Sequence, residues 1–294
     1  MDINGKPTVI STFCGTGGSS LGYKLAGFHE LLALDWEDHA VECFRLNFPE
    51  VPCWQKDITK VTGTEILDFC NIKPGELDVF DGSPPCQGFS TAGKRQVSDP
   101  RNDLFNHYCR LIQELQPKVF VMENVSGMAK GSMKGKFIEI ITTLKSMNYN
   151  VKCKQMNAIY YGVPQSKERV IFIGSRKDLN KIPQFPVPNS NSPIKEIRRI
   201  APDILGSKSD RRNPWMPISR GICTVTKTEY DGIFKTVNGN RSATINEIKQ
   251  LCSFPGNWKL IGSRSQQWAR LGNAVMPKFM QAIAETIKNE ILNG

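Results

Sequence analysis

A cysteine in a rigid segment is the residue of this sequence best suited to covalent chemistry. Cys86 follows Pro84 and Pro85, which restrict the backbone to an extended path. It comes just after a predicted buried strand at 78–80, and the glycines of residues 88–93 predict a flexible loop beyond it. A cysteine fixed at a strand end and exposed to a cleft is placed to act as a nucleophile. This context sets Cys86 apart, because most cysteines are buried apolar residues.

Two classes of enzyme that act on nucleobases carry related motifs. Zinc nucleobase deaminases have a second cysteine three residues after the first, but Phe89 stands at that position here. Methyltransferases directed at amino groups follow Pro-Pro with an aromatic residue that stacks on the target base, and this sequence has Cys86 instead. A thiol cannot stack, but it can add to an electron-poor ring carbon. The motif therefore indicates covalent addition to a base.

A carboxyl group and a guanidinium are expected across the same cleft. Glu123 ends the predicted strand at 119–122, and ligands of doubly wound sheets bind at the carboxyl ends of the strands. A protonated Glu123 that donates to N3 of cytosine would draw electrons from C6 and prepare it for attack by the thiolate. A salt-bridged surface glutamate is the alternative. Arg169 opens a strand that should be buried, so it needs a partner such as cytosine O2 or a DNA phosphate.

A glycine-rich loop indicates a nucleoside cofactor. Residues 13–18 read Phe-Cys-Gly-Thr-Gly-Gly and lie between a predicted strand and a helix. Asp35 ends the next strand, where a carboxylate can accept hydrogen bonds from both ribose hydroxyls. Trp36 offers a face for adenine, with core packing as an equal alternative. The loop lacks the third glycine that seats a pyrophosphate, so S-adenosylmethionine fits better than a dinucleotide.

The elements that must position these residues alternate strands with helices. Such alternation through the first 175 residues is typical of βαβ units around a mostly parallel sheet. Strands are predicted at 8–13, 31–34, 78–80, 119–122, 151–157 and 169–173. One amphipathic helix is predicted between Pro100 and Pro117, with an apolar stripe formed by Leu104, Tyr108, Leu111, Ile112 and Leu115.

The composition changes after Ser175, which predicts a second lobe. Residues 176–240 are rich in proline and polar residues, contain two arginine doublets and show no clear helical period. Helical periodicity returns at 245–251 and 277–292. We therefore predict a catalytic and cofactor-binding domain at 1–175, a small lobe at 176–240 and a returning segment at 241–294 that completes the catalytic domain. A minor core of the lobe would be built from Trp215, Ile218, Ile222, Val225 and Phe234.

Charge and cysteine usage narrow the class of protein. The 294 residues include 38 Lys and Arg against 28 Asp and Glu, a net charge of +10 that favours a polyanionic partner without proving one. Nine cysteines occur without any Cys-x-x-Cys pair, which indicates reduced thiols and no metal site. No apolar run approaches the roughly 18 residues of a membrane span, and no signal peptide is recognisable. We expect a cytoplasmic monomer that does not bind membranes.

Taken in order, these motifs resemble those of the DNA (cytosine-5) methyltransferases, the enzymes of bacterial restriction–modification systems and their relatives. Pro-Pro-Cys-Gln, Glu-Asn-Val and Tyr-Gly-Val-Pro-Gln occur in the family's order and spacing. Residues 272–275 resemble the last motif of the family, and residues 241–247 resemble the motif before it, a structural support for the lobe. The match runs from the first strand to the last helix and is interrupted only by the lobe.

The resemblance implies a fold, a reaction and a role for each motif. It implies a Rossmann-like S-adenosylmethionine-dependent methyltransferase that flips a cytosine out of double-stranded DNA, with 176–240 as the target-recognition lobe in the major groove. Cys86 would be the nucleophile and Glu123 would activate the ring, while Arg169 and Gln165 would support the flipped base and the loop over it. The cofactor pocket would be formed by Phe13, Gly15, Gly17, Gly18, Asp35, Trp36, Asp57, Ile58, Asn273 and Ala274.

The sequence departs from the family pattern at two positions. Ser11 replaces an acidic residue common in the first strand. Lys167 replaces the first arginine of Gln-x-Arg-x-Arg, which keeps the charge but loses bidentate geometry.

Two alternative functions remain. A tRNA cytosine-5 methyltransferase shares the scaffold, but it usually lacks a glutamine at Gln165 and carries a Cys-Phe-Thr element that is missing here. A non-catalytic DNA-binding regulator would be expected to have lost Cys86, Glu123 or the glycine loop.

Overall fold

The main body of the protein is built on one large sheet. The computed structural model describes residues 5–85, 104–129, 134–189, 192–208, 215–227 and 233–293. The strands of the sheet are β1 (Thr8–Thr12), β2 (His29–Asp35), β3 (Cys53–Gln55), β4 (Val79–Gly82), β5 (Val119–Val125), β6 (Tyr149–Asn157) and β7 (Glu168–Arg176). Their order is β3-β2-β1-β4-β5-β7-β6. All neighbours are parallel except at β7, which is antiparallel to β5 and β6.

This sheet confirms the predicted α/β fold, and the predicted strands coincide with β1, β2, β4, β5, β6 and β7. The predicted extension of the first strand to Phe13 is wrong. Phe13 has a φ of 55°, because the chain turns there into the glycine-rich loop. The short β3 was not predicted, since its three residues are too few to show an alternating pattern.

Helices cover both faces of the sheet. Val9 and Ile10 are neighbours in β1 but belong to different hydrophobic clusters, because successive side chains of a strand point to opposite faces. The predicted apolar stripe before Pro117 is confirmed, and its residues are buried against one of these faces, apart from half-buried Leu104. The helices before the lobe are α1 (Gly18–Leu25), α2 (Asp38–Asn47), α3 (Gly63–Cys70), α4 (Leu104–Leu115) and α5 (Lys134–Ser146).

The region after the sheet contains a second, antiparallel sheet. Its strands are β8 (Ile204–Lys208), β9 (Met216–Pro217), β10 (Ile233–Thr236) and β11 (Gly239–Ser242), in the order β11-β10-β8-β9. Helix α6 (Ile194–Ile200) precedes them. The expectation of no helical period in this region is therefore wrong, since α6 has only two turns and buries only Ile197 among its residues.

The described residues of the predicted lobe do not form a separate core. Ile218, Ile222, Val225 and Phe234 are buried as predicted, but they join the hydrophobic cluster that lies on one face of the large sheet. Trp215 is only half-buried, and its ring lies under the Lys208 ammonium at 4.9 Å from the ring centroid. The prediction that these residues form a minor core of their own is therefore wrong, because the segment that carries Ile222 and Val225 packs directly on the large sheet and its helices.

The C-terminal segment returns to the large sheet. It forms α7 (Ile245–Leu251), α8 (Arg264–Asn273) and α9 (Pro277–Ile287), and α9 packs against α1. This packing requires Gly22, since a Cβ there would lie 2.6 Å from Met280 Cβ. Arg241 on β11 holds the lobe in place through ion pairs with Asp203, at 2.7 Å, and with Glu247 on α7, at 2.6 Å. None of the helices in the described ranges is long and apolar enough to cross a membrane.

Candidate active site

A buried ion pair lies at the carboxyl end of β5. The Arg169 Nε is 2.5 Å from the Glu123 Oε1, and both side chains are largely buried. Arg169 is opposite Val125 in the antiparallel β5–β7 pair, so its side chain leaves the same face of the sheet as that of Glu123. The partner expected for Arg169 is therefore a carboxylate of the protein itself. Glu123 is salt-bridged, but at 8% exposure it is not the surface glutamate of the alternative interpretation.

The neighbouring Asn124 holds the segment that leads to the predicted nucleophile. Its Nδ2 donates a hydrogen bond of 3.0 Å to the carbonyl oxygen of Pro84, and its Oδ1 accepts one from the backbone of Val125. Cys86 and the loop predicted to close over the base lie outside the described residues. The sequence showed Asn124 only as part of a motif. Its role as a brace for the Pro-Pro segment depends on the parallel pairing of β4 with β5, which brings Gly82 beside Met122.

The eight cysteines in the described ranges are poorly suited to act as nucleophiles. All of them are buried or half-buried, and none is disulfide-bonded. Burial raises the pKa of the Cys70 thiol to about 11 and that of the Cys109 thiol to about 12. It also raises the pKa values of Cys14 and Cys252. A raised pKa keeps the thiol protonated and unreactive. In the same ranges, no group of three His, Cys, Asp or Glu side chains could hold a metal ion.

The glycine-rich loop presses closely on the protein on one side and is open on the other. A Cβ at Gly18 would lie 2.0 Å from the carbonyl oxygen of Val275, and one at Gly17 would lie 2.5 Å from the Phe48 ring. Gly15, in contrast, has open space where a Cβ would be, and its φ is +55°. The loop therefore needs glycines for close packing, while Gly15 leaves room for a ligand to approach the backbone.

Asp35 and Trp36 lie beside this loop at the end of β2. The Asp35 carboxylate accepts hydrogen bonds from the backbone of Gly15, at 2.8 Å, and of Glu37, at 3.0 Å, and burial raises its pKa. Trp36 is 73% exposed, which decides the open question against core packing. An exposed indole, a carboxylate and an open glycine loop are suitable for the adenine and ribose of S-adenosylmethionine.

The other predicted cofactor residues fall in two places. Asp57 is exposed and caps a short 3-10 turn by accepting a hydrogen bond from the Thr59 backbone, while the Ile58 side chain is buried in the core. Asn273 is exposed and ends α8, and Ala274 follows it. The close contact of Gly18 with Val275 brings this last motif beside the first. No sequence pattern had pointed to Arg270 on α8, which forms an ion pair with Glu37.

Gln165 is fully buried, and its amide is engaged within the protein. Its Nε2 donates to the Cys252 sulfur at 3.2 Å, and its Oε1 accepts from the Val225 backbone at 3.1 Å. The adjacent backbone pairs with Ile222, since the Ser166 N–H donates to the Ile222 carbonyl at 2.9 Å. The described contacts of Gln165 therefore support the attachment of the lobe, and its predicted support of a flipped base stays a prediction.

Both departures from the family pattern lie in buried surroundings. Lys167 is fully buried, and its Nζ donates to the carbonyl oxygens of Gly272, at 2.8 Å, and Ala274, at 3.1 Å. Ser11 is also fully buried, and its partner across β1 and β4 is Asp81. Since paired residues of neighbouring strands point to the same face, an acidic group that Ser11 lacks is present on the adjacent strand.

Asp81 and Glu30 are buried carboxyl groups beneath α1. Tyr23 donates to Asp81 at 3.2 Å, and Ser20 donates to Glu30 at 2.8 Å. Desolvation by burial raises the pKa of Asp81 to about 8 and that of Glu30 to about 7. Both groups are therefore expected to hold their protons at mildly acidic pH.

We expect the stability of the protein to fall as the pH rises through this range. The ordinary pKa values are 3.8 for Asp81 and 4.5 for Glu30, so above these values the folded state binds more protons than the unfolded chain. Relative to the double variant Glu30→Gln/Asp81→Asn, the wild type should lose several kcal/mol of unfolding free energy, up to about 6 kcal/mol, between about pH 5 and about pH 9. Urea unfolding measures this difference, and equal pH dependence of the two proteins would contradict it.

Comparison with known proteins agrees with this geometry. A model of the family described as C-5 cytosine-specific DNA methylase matches residues 7–216 and 211–289. The Type II methyltransferase M1.HphI of Haemophilus parahaemolyticus is 35% identical, over 95% of this chain and 86% of that protein. M.AquIA of Picosynechococcus is 38% identical, over 74% of this chain and 88% of that protein. M.HhaI of Haemophilus parahaemolyticus is 30% identical, over 96% of this chain and 94% of that protein.

Solved structures share the fold. A putative DNA modification methyltransferase encoded within an Escherichia coli prophage has a TM-score of 0.80 at 23% identity, covering 98% of this chain and 100% of that one. Spodoptera frugiperda DNMT2 has a TM-score of 0.74 at 21% identity, covering 96% of this chain and 99% of that one. At this identity, the likeness supports the architecture alone.

Proposed function

The chain belongs to the C-5 cytosine-specific DNA methylase family, and we propose that it methylates a cytosine of a short duplex sequence through Cys86 and Glu123. Membership of this family makes it an enzyme that transfers a methyl group from S-adenosylmethionine to carbon 5 of cytosine in DNA. The residues that carry out the steps, the duplex form of the DNA and the biological setting are parts of the proposal.

The proposed chemistry begins with a cytosine flipped out of the duplex, since C6 cannot be reached within the stack. As the base displaces Arg169 from part of the Glu123 carboxylate, Glu123 takes up a proton from water. The Cys86 thiolate then adds to C6 while Glu123 donates this proton to N3, which turns C5 into a nucleophile. S-adenosylmethionine, when bound, supplies the electrophilic methyl group that C5 takes up. Water then removes the proton from C5, and elimination of the thiolate frees Cys86. The proton on N3 returns to the Glu123 carboxylate, which restores the neutral aromatic ring.

The observation that carries these roles is the buried Glu123–Arg169 pair beside the braced Pro84. Arg169 lies 2.5 Å from the Glu123 carboxylate, so both groups are in place before a base arrives. Asn124 bonds to the Pro84 carbonyl, which ties the strand of Glu123 to the chain segment immediately before Cys86. The low reactivity expected of the other eight cysteines supports Cys86 by elimination.

Double-stranded DNA is the proposed substrate, and 176–240 is the proposed recognition lobe. The net charge of +10 suits a polyanion, and α6 presents exposed Arg198 and Arg199. The similar proteins are named Type II methyltransferases, so we propose that this enzyme also serves a restriction–modification system. We further propose that it acts as a monomer in the cytoplasm and closes the loop after Cys86 over the flipped base.

We expect labelled methyl groups of S-adenosylmethionine to enter duplex DNA at one short sequence. Transfer to DNA from several sources should be measured beside transfer to tRNA, and bisulfite sequencing of DNA from a host that expresses the gene should identify the site. A Type II activity predicts that the target cytosine of one sequence context is almost completely protected from bisulfite conversion. Transfer to tRNA with none to duplex DNA would favour the alternative function and contradict this proposal.

A further inference from the structure

Lys167 is a buried cation that the proposed reaction does not use. It is fully buried, and its Nζ donates to two carbonyl oxygens at the end of α8. These carbonyls belong to Gly272 and Ala274, the residues immediately before and after Asn273. The last carbonyls of a helix have no partners within the helix, so a cation there satisfies and stabilises them. Lys167 thus holds both sides of the predicted cofactor residue Asn273.

The turn that Lys167 holds also touches the glycine-rich loop. Val275 follows Ala274, and its carbonyl oxygen would be 2.0 Å from a Cβ at Gly18. The two segments are therefore packed without space between them. A shift of Ala274 would displace Val275 and release its contact with the loop, because close-packed surfaces transmit small movements.

Lys167 also lies close to the residues that are proposed to bind the cytosine. Lys167 lies immediately before β7, two residues ahead of Arg169, and Arg169 pairs with Glu123. The charges of Arg169 and Glu123 and the Cys252 thiol are the titratable groups that act on Lys167. One short stretch of chain therefore contacts both the proposed base-activating pair and the turn beside the cofactor loop.

We propose that Lys167 is a positioning residue. From the segment just before β7, it fixes the turn 272–275 against the glycine-rich loop and so shapes the S-adenosylmethionine pocket. The link from Lys167 to the base-binding residues rests on the proposed roles of Glu123 and Arg169. The effect of Lys167 on the cofactor pocket does not, because S-adenosylmethionine binding can be measured without DNA and without methyl transfer.

Calorimetric titration with S-adenosylmethionine in the absence of DNA tests the inference. Lys167→Met keeps the length and apolar stem of the side chain but removes the donor, so Kd should rise about tenfold or more. Lys167→Arg can still donate to both carbonyls and should stay within about threefold of the wild type. Lys152→Met on the exposed side of β6 is the matched control and should leave Kd unchanged. Equal Kd values for the wild type and Lys167→Met would overturn the proposal.

Steady-state kinetics separate positioning from a general loss of structure. Lys167→Met should raise the KM for S-adenosylmethionine by the same factor as Kd, while kcat at saturating cofactor falls by less than about threefold. A fall in kcat with an unchanged KM would contradict the proposal. A wild-type protein that binds S-adenosylmethionine but does not methylate DNA would instead contradict the proposed function, and the binding comparison would still decide the role of Lys167.

The pH dependence of binding gives a readout that does not rely on Lys167→Met being folded. Burial lowers the pKa of Lys167 to about 7, with Arg169 adding to the effect, so the ammonium loses its charge as the pH rises through neutrality. Wild-type Kd should therefore increase between about pH 6 and about pH 8.5, and the increase should be smaller in Lys167→Arg, which stays charged. The variant retains every other titrating group, including Glu30, Asp81 and Asp35. Parallel pH profiles for the two proteins would overturn the proposal.

Discussion

Replacement of Cys86 with serine should lower methyl transfer to DNA by roughly 10⁴-fold or more, with S-adenosylmethionine and DNA affinity retained. A serine hydroxyl has nearly the same size as the thiol, but it is far less nucleophilic toward C6 because it stays protonated near neutral pH. The measurement is the single-turnover rate of labelled methyl transfer, with Kd values obtained separately. Turnover of Cys86→Ser at the wild-type rate would remove the covalent step from the mechanism.

A matched cysteine control separates this effect from a general sensitivity to loss of a thiol. Cys70 is half-buried at the end of α3, and Cys70→Ser should retain activity. Duplex DNA with 5-fluorocytosine at the target offers a direct test. A base cannot remove the C5 fluorine as it removes the C5 proton of cytosine, so the thiolate cannot be eliminated. This DNA should trap a covalent complex with the wild type and Cys70→Ser but not with Cys86→Ser. Trapping by Cys86→Ser would assign the nucleophile to another residue.

Glu123→Gln should reduce kcat by roughly 10²–10⁴-fold, the usual contribution of a positioned general acid. Glutamine has the size of glutamate and can accept a hydrogen bond from Arg169, but it cannot transfer a carboxyl proton to N3. The KM for DNA should change much less, because the amide can still form one hydrogen bond to the base. Measurement of kcat and KM with saturating S-adenosylmethionine tests this expectation.

The control for this variant must account for the ion pair that it removes. Arg169 is largely buried beside Glu123, and a buried charge that loses its partner destabilises a protein by about 3–5 kcal/mol. Thermal unfolding should therefore be recorded for Glu123→Gln, and activity should be assayed well below its melting temperature. Glu168→Gln alters an exposed neighbour that accepts a hydrogen bond from Gln155, and it should retain activity. Wild-type kcat in folded Glu123→Gln would exclude Glu123 as the acid.

The arrangement of the site suggests why the pair is formed in the free protein. Arg169 and Glu123 satisfy each other within a buried environment, so neither charge is left without a partner before the base arrives. An incoming cytosine then replaces part of this pairing. Its N4 amino group donates to the Glu123 carboxyl group, its N3 accepts from that group once it is protonated, and its O2 accepts from Arg169. Preformed polar groups require little rearrangement during reaction, which is the general source of electrostatic catalysis.

The sequence alone determined the fold class, most strands of the large sheet and the members of each motif. Hydrophobic periodicity is a local property, and it identified α4 and six of the seven strands because each buries one or both faces. The chemical types of Cys86, Glu123 and Asp35 at the ends of successive strands were also sufficient to predict a nucleophile, an acid and a ribose contact. Strand β3 and helix α6 were not predicted, since both are too short to show a hydrophobic period in the sequence.

Only the tertiary structure decided which residues contact one another across the chain. Trp36 could pack in a core or face a ligand, and only its 73% exposure in the folded chain decided between the two. In the sequence, Lys167 replaces an arginine and loses its bidentate hydrogen-bonding geometry. In the structure, it donates to the carbonyls of Gly272 and Ala274, which are 105 and 107 residues away. Val225 of the predicted lobe likewise belongs to the hydrophobic cluster of the large sheet, and its backbone donates a hydrogen bond to Gln165. Such contacts depend on how whole elements assemble, and no local pattern in the sequence records them.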